Sequence, residues 1–134
     1  MSVAAAFDAI PPREDRADFT ISDLAAEFGV TPRALRFYED EGLIAPARRG
    51  TNRVYSHRDR ARLAWILRGK RVGFSLGEIR EMIDLYDIGD GRHTQRAVTI
   101  DRCRRRIDAL SAQKADIDAA IAELNQFLAL IEKD

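Results

Sequence analysis

The strongest constraint on this chain lies near its C-terminal end. Ile100, Cys103, Ile107, Leu110, Lys114, Ile117, Ile121, Leu124, Leu128 and Ile131 follow one another at alternating spacings of three and four, and nine of the ten are apolar. On a helix these positions fall on one stripe, and a stripe held in register over roughly four heptads is a coiled-coil seam rather than the face of a globular helix. A lone helix would leave it in water, whereas burying each large side chain favours association by about 1.5–3 kcal/mol. No second apolar helix follows in the sequence, so the stripe calls for another chain, most simply in a C2 homodimer. Lys114, the one charged residue of the seam, has two readings. It specifies register or orientation at a cost in stability, or its stem snorkels from a locally open seam.

The rest of the chain reads as short helices separated by turns. Residues 1–18 are rich in Ala, Pro and charge, show no periodicity, and are expected to be a disordered tail. Phe19–Ile21 is expected to be extended. Ser22 is expected to cap a first helix reaching Phe28, with Leu24, Ala25 and Phe28 on one face and Gly29 as its left-handed terminator. Thr31-Pro32 opens a second helix as N-cap and first helical residue. It carries Ala34, Leu35, Tyr38 and Glu39 and stops at Gly42. Two short helices joined by a Gly-containing turn make a helix-turn-helix unit. Gly50-Thr51-Asn52 marks a turn between two short extended runs, a small two-stranded wing. Ser56 with Asp59, and Ser75 with Glu78, are capping boxes for a third helix ending at Gly73 and a fourth running through Ile79, Ile83 and Tyr86. Gly89-Asp90-Gly91 then breaks the chain. The expected divisions are a tail at 1–18, a head at 19–88 and a coiled-coil helix at 92–133.

Charge is zero overall but unevenly placed. Between 43 and 77 the only acid is Asp59, against nine Arg and Lys, whereas 78–134 is net −3. A positive head beside a mildly acidic assembly element suits a phosphate-binding protein. No apolar stretch approaches the roughly 18 residues of a membrane span, and the N-terminus lacks the basic and apolar blocks of a secretory signal. With one cysteine there is no internal disulfide, which fits the cytoplasm. His57 and His93 are distant from each other and from Cys103, so neither a nucleophile–base pair nor a metal site is expected, and no cofactor or enzymatic activity. Cys103 reads as a small seam hydrophobe, with a thiol sensor as the alternative. The isolated Trp65 reads as core. Glu39-Asp40-Glu41 reads as helix-end and turn surface. Arg102 and Arg104–Arg106 read as a solvated face, with Asp101–Arg105 and Arg104–Asp108 as i,i+4 pairs.

The runs Phe19–Ala25, Gly29–Glu39 and Gly42–Ile44, the wing Arg53-Val54-Tyr55-Ser56, and the later Gly73–Ile79 resemble, in the same order, the head of the MerR family of bacterial regulators. The closing long helix fits too, so the resemblance covers about residues 19–132. It implies a mainly α fold: a winged helix-turn-helix head, two further helices, and a long C-terminal helix pairing antiparallel with its copy. It also implies a homodimer on a pseudo-palindromic site in double-stranded promoter DNA, bending and untwisting that DNA, and acting on RNA polymerase indirectly. Metal-sensing members carry further cysteines, which are absent here, and drug-sensing members append a ligand domain. A small-molecule effector is left unidentified. The segments at 37–43 and 67–79 are nearest in wording to members that control branched-chain amino-acid and acyl-CoA catabolism.

In such a head the second helix enters the major groove by its N-terminal end. Thr31, Arg33 and Arg36 are then expected to point outward. Arg33 is the candidate for bidentate base contact and Arg36 for phosphate. Tyr38 packs its ring inward and offers its hydroxyl to the DNA backbone, or serves the core alone. Arg53 and Tyr55 in the wing are expected at phosphates or the minor groove, with Arg48 and Arg49 adding diffuse attraction and Asn52 serving the turn or the DNA. One of Arg58 and Arg60 is a further phosphate candidate. Two other classes use the same features: a coiled-coil adaptor with an inactive head, and an excisionase-like architectural DNA binder.

Overall fold

The computed structural model describes residues 18–85 and 93–133. Its elements are α1 (Ile21–Phe28), α2 (Pro32–Asp40), β1 (Ala47–Arg49), β2 (Asn52–Val54), α3 (His57–Arg71), α4 (Leu76–Asp84) and α5 (His93–Glu132). They fall into two compact units that divide between Gln95 and Arg96. The expected boundary at 88–92 lies outside the described residues. Gln95 belongs with the head because its amide is buried and Nε2 donates to the Met82 carbonyl at 2.9 Å. The break at 89–91, Tyr86 and the tail lie outside the described residues.

Local chemistry starts each helix of the head. Thr20, not Ser22, caps α1: its hydroxyl accepts from Asp23 N–H at 3.0 Å, and the Asp23 carboxylate accepts from Thr20 N–H at 2.9 Å. A reciprocal box satisfies two helix-end groups, where Ser22 alone would satisfy one. Ile21 is accordingly helical, and the extended segment shortens to Phe19, which exchanges two 2.9 Å backbone hydrogen bonds with Tyr55. Thr31 caps α2 over Pro32, and the boxes at Ser56/Asp59 and Ser75/Glu78 form as expected. β1 and β2 pair antiparallel in the register Ala47↔Val54, Arg48↔Arg53 and Arg49↔Asn52. The connection is the two residues Gly50-Thr51, and Gly50 takes φ 64°. That left-handed conformation lets a two-residue hairpin follow the strand twist, and glycine adopts it without strain.

The core forms around α3. Leu63 and Ile66 point inward as their spacing predicts, but burial extends over every residue from Ala61 to Ile66, Trp65 included. This helix is enclosed on more than one side. α4 closes against it at Gly69, where an added Cβ would stand 2.8 Å from Ile79 Cγ1, so only glycine permits the approach. Leu24, Leu35, Leu43, Tyr55, Ile79 and Ile83 complete the same core.

Two charged residues sit inside it. Asp59 Oδ1 accepts from Ala45 N–H at 3.0 Å, and Oδ2 accepts from Ser56 N–H and Oγ–H at 3.0 and 3.1 Å. It thus joins the entry of the wing to the start of α3. Arg62 donates from Nε to the Leu43 carbonyl at 2.7 Å and pairs with Asp84 at 2.9 Å. The Arg62 side chain is buried while Asp84 is more than half exposed, so the buried guanidinium is satisfied by a backbone carbonyl and by a carboxylate at the surface. Arg62 is therefore a core residue, and one positive charge of the 43–77 run is withdrawn from the surface.

The second unit is helical as far as Glu132, within an α5 of 40 residues, about 60 Å at 1.5 Å per residue. Its Ile and Leu seam residues are exposed, from 41 % at Leu110 to 63 % at Leu124. Arg105 pairs with Asp101 at 3.1 Å. Cys103 is half-buried, and desolvation pushes its thiol pKa up, which lowers its thiolate fraction and reactivity.

Candidate nucleic-acid interface

The head gathers arginines on α2 and on the hairpin that follows it. Leu35 and Tyr38 are buried, so one face of α2 is committed to the core. The opposite face carries Arg33, Arg36 and Phe37, all exposed. Thr31 lies at the N-terminal end, where its hydroxyl already accepts from Ala34 N–H at 3.1 Å. Tyr38 is only 6 % exposed, and burial pushes its hydroxyl pKa up.

On the hairpin, Arg48 and Arg53 lie opposite each other in register. Both reach back to one carboxylate of α2: Arg53 Nε donates to Glu39 Oε2 at 2.6 Å, and Arg48 donates to Glu39 Oε1 at 3.2 Å. Arg49 stands at the hairpin end, largely exposed, 2.9 Å from Asp18. Asn52 opens β2 and is exposed. Two arginines of the wing are thus paired within the protein rather than standing free, and Glu39 is not the idle surface acid expected of it.

Tyr55 departs from its expected place. It was expected at phosphates or the minor groove, but it is fully buried beneath the wing. Its backbone exchanges two hydrogen bonds with Phe19, and its ring packs into the core. Burial is the main cause pushing its hydroxyl pKa up, and the Glu39 carboxylate adds to it against opposition from Arg53 and Arg36. Arg60 is also engaged, with Glu27 at 2.6 Å and with the Phe19 ring at 5.9 Å.

Two features escaped the sequence reading. Phe37 is 46 % exposed beside Arg33 and Arg36. Its signal was available, since Phe37 sits four residues after Arg33 on the face opposite Leu35. Glu39 carried no such signal, because its partners lie 9 and 14 residues away on another element. Among the described residues no group of three or more His, Cys, Asp or Glu side chains is placed to hold a metal ion. No described helix is long and apolar enough to cross a membrane.

Comparison with known proteins bears on this arrangement. The family model of the MerR HTH family regulatory protein matches residues 19–85, and a second, for MerR DNA binding, matches residues 60–127. The HTH-type transcriptional regulator CueR of Escherichia coli O157:H7 is 33 % identical over 112 residues, covering 82 % of this chain and 78 % of that protein. Among solved structures, HiNmlR, a MerR family regulator lacking the sensor domain and bound to promoter DNA, matches with a TM-score of 0.50 at 26 % identity, over 84 % of this chain and 79 % of that one. A MerR family transcriptional regulator from Listeria monocytogenes shares the fold, with a TM-score of 0.65 at 17 % identity over 81 % of this chain and 85 % of that one.

Proposed function

The chain belongs to the MerR family of DNA-binding transcriptional regulators, and from that premise we propose that it acts as a cytoplasmic homodimer on a pseudo-palindromic promoter site, reading bases with α2 and holding phosphates with the wing. The observation that carries this reading is the exposed row Arg33, Arg36 and Phe37 on α2, adjoining a hairpin that bears Arg48, Arg49 and Arg53. Arg33 makes the bidentate contact to a guanine edge, and Phe37 offers an apolar surface to a thymine methyl group. Arg36, Arg49 and Arg53 serve phosphates, which position the protein without reading sequence. Thr31 has its oxygen committed to the cap and presents the helix N-terminus instead. Tyr55 supports the wing from within.

Pairing through the seam presents two heads to one duplex. Bending and untwisting the DNA between them costs on the order of several kcal/mol, offset by the added contacts, and changes what RNA polymerase meets at the promoter. The wording of 37–43 and 67–79 supports branched-chain amino-acid or acyl-CoA catabolism as the class of target genes.

Selection of binding sites from a random duplex library tests the assignment. Arg33→Ala is expected to relax preference at one base position in each half-site, a discrimination of about 1–3 kcal/mol. An unchanged selection profile would remove Arg33 from base readout.

A further inference from the structure

Glu39 lies in the last turn of α2, and its two carboxylate oxygens go to different arginines of the wing. The two contacts are unequal. The Arg53 pair is short, 2.6 Å, and sheltered, with side chains 23 % and 18 % exposed; the Arg48 pair is longer, 3.2 Å, and Arg48 is 51 % exposed. A charge-assisted hydrogen bond of that length fixes orientation as well as charge. Arg53 makes it through Nε, so the terminal N–H groups of the guanidinium are not committed to Glu39.

We infer that Glu39 is a positioning residue for DNA recognition: it orients the Arg53 guanidinium so that its terminal N–H groups face the duplex, and it ties the wing to the base-reading helix. Arg48, more loosely held, exchanges the same carboxylate for a phosphate when DNA arrives. The inference rests on α2 and the wing being the DNA-facing surface. It makes an acidic side chain favourable at a DNA interface. Bulk electrostatics alone gives the opposite sign, because removing a negative charge strengthens binding to every duplex.

Binding of the full chain is measured against two probes: a duplex selected by the wild-type protein from a random library, and a scrambled duplex of equal length and composition. Glu39→Ala is expected to weaken binding to both duplexes by about three- to tenfold, because a phosphate contact carries no sequence preference. In an Arg53→Ala background the same change is expected to cost nothing further. Arg53→Lys keeps the charge but lacks Nε, and is expected to lose as much as Glu39→Ala. Equal tightening on both duplexes, or an equal loss with and without Arg53, overturns the inference. Thermal melting checks that each variant folds. Should Glu39→Ala fail to fold, the cycle between Glu39→Gln and Arg53→Ala decides in its place, and additivity there overturns the inference. If Arg33→Ala leaves base preference unchanged, the DNA-facing assignment itself fails. If it alters preference while the Glu39–Arg53 cycle is additive, only the positioning role fails.

Discussion

The two units of this chain solve the same problem in opposite ways. In the head, Leu24, Leu35, Ile66, Ile79 and Ile83 are removed from water by neighbours in the same chain. In the long helix, Ile107, Ile117, Ile121 and Leu124 are apolar and more than half exposed. The head contains its own partners, and polar groups such as Asp59 and Arg62 lock its elements together. The helix leaves its apolar seam in water, so its stability depends on a second copy and on concentration. Beyond the seam, Phe127 and Leu130 are 60 % and 68 % exposed and widen the apolar surface near the C-terminal end. That contrast makes the head a folding unit and the helix an assembly unit.

The largest expected effect breaks the helix side of the contrast. Ile117→Asp places one charge in the seam of each chain, two per dimer. Sedimentation at micromolar concentration should show a monomer, and affinity for the selected duplex should fall by about a hundredfold or more as the two heads separate. A dimer that persists would show that the seam is not the interface.

An effect of intermediate size belongs to the head. Asp59→Ala removes the acceptor for Ala45 N–H, Ser56 N–H and the Ser56 hydroxyl. Losing the cap and leaving buried donors unpaired should destabilise the head by about 2–4 kcal/mol. Calorimetry should then separate a low-temperature transition of the head from the dimer's own, and retained single-step melting would argue against two separable units.

The smallest effect sharpens the account of the seam. Lys114→Leu should raise the dimer's melting temperature by a few degrees, on the scale of about 1 kcal/mol. If the variant instead becomes a higher oligomer in sedimentation, Lys114 sets the oligomeric state. No change at all would favour the snorkelled stem.

Helix starts were legible because capping is local. Ser56 and Ser75 declare themselves by the acids three positions on, and Thr31 by the Pro32 that follows it. The one error, Ser22 for Thr20, came from two cap formers two residues apart, and Asp23 was the deciding partner. The wing followed from its turn residues, and the row Arg33–Arg36 from the spacing of Leu35 and Tyr38. The fate of individual charges was not legible. Arg62 and Arg53 both belong to the basic run at 43–77, yet one is interior and the other joins a cluster at the wing. Tyr55 was misjudged for the same reason: its backbone pairs with Phe19, 36 residues earlier, and its ring packs into the core.

By itself the sequence determined the caps of α2, α3 and α4, the hairpin turn, the seam and the positively charged head, because each is written in residues within about one or two helical turns of one another. Only the tertiary structure decided that Arg62 is interior, that Gly69 must lack a side chain, and that Glu39 gathers the wing arginines. Those outcomes depend on which distant elements are brought within about 3 Å, and hydrogen-bonding and packing energies fall away over distances that local sequence patterns do not encode.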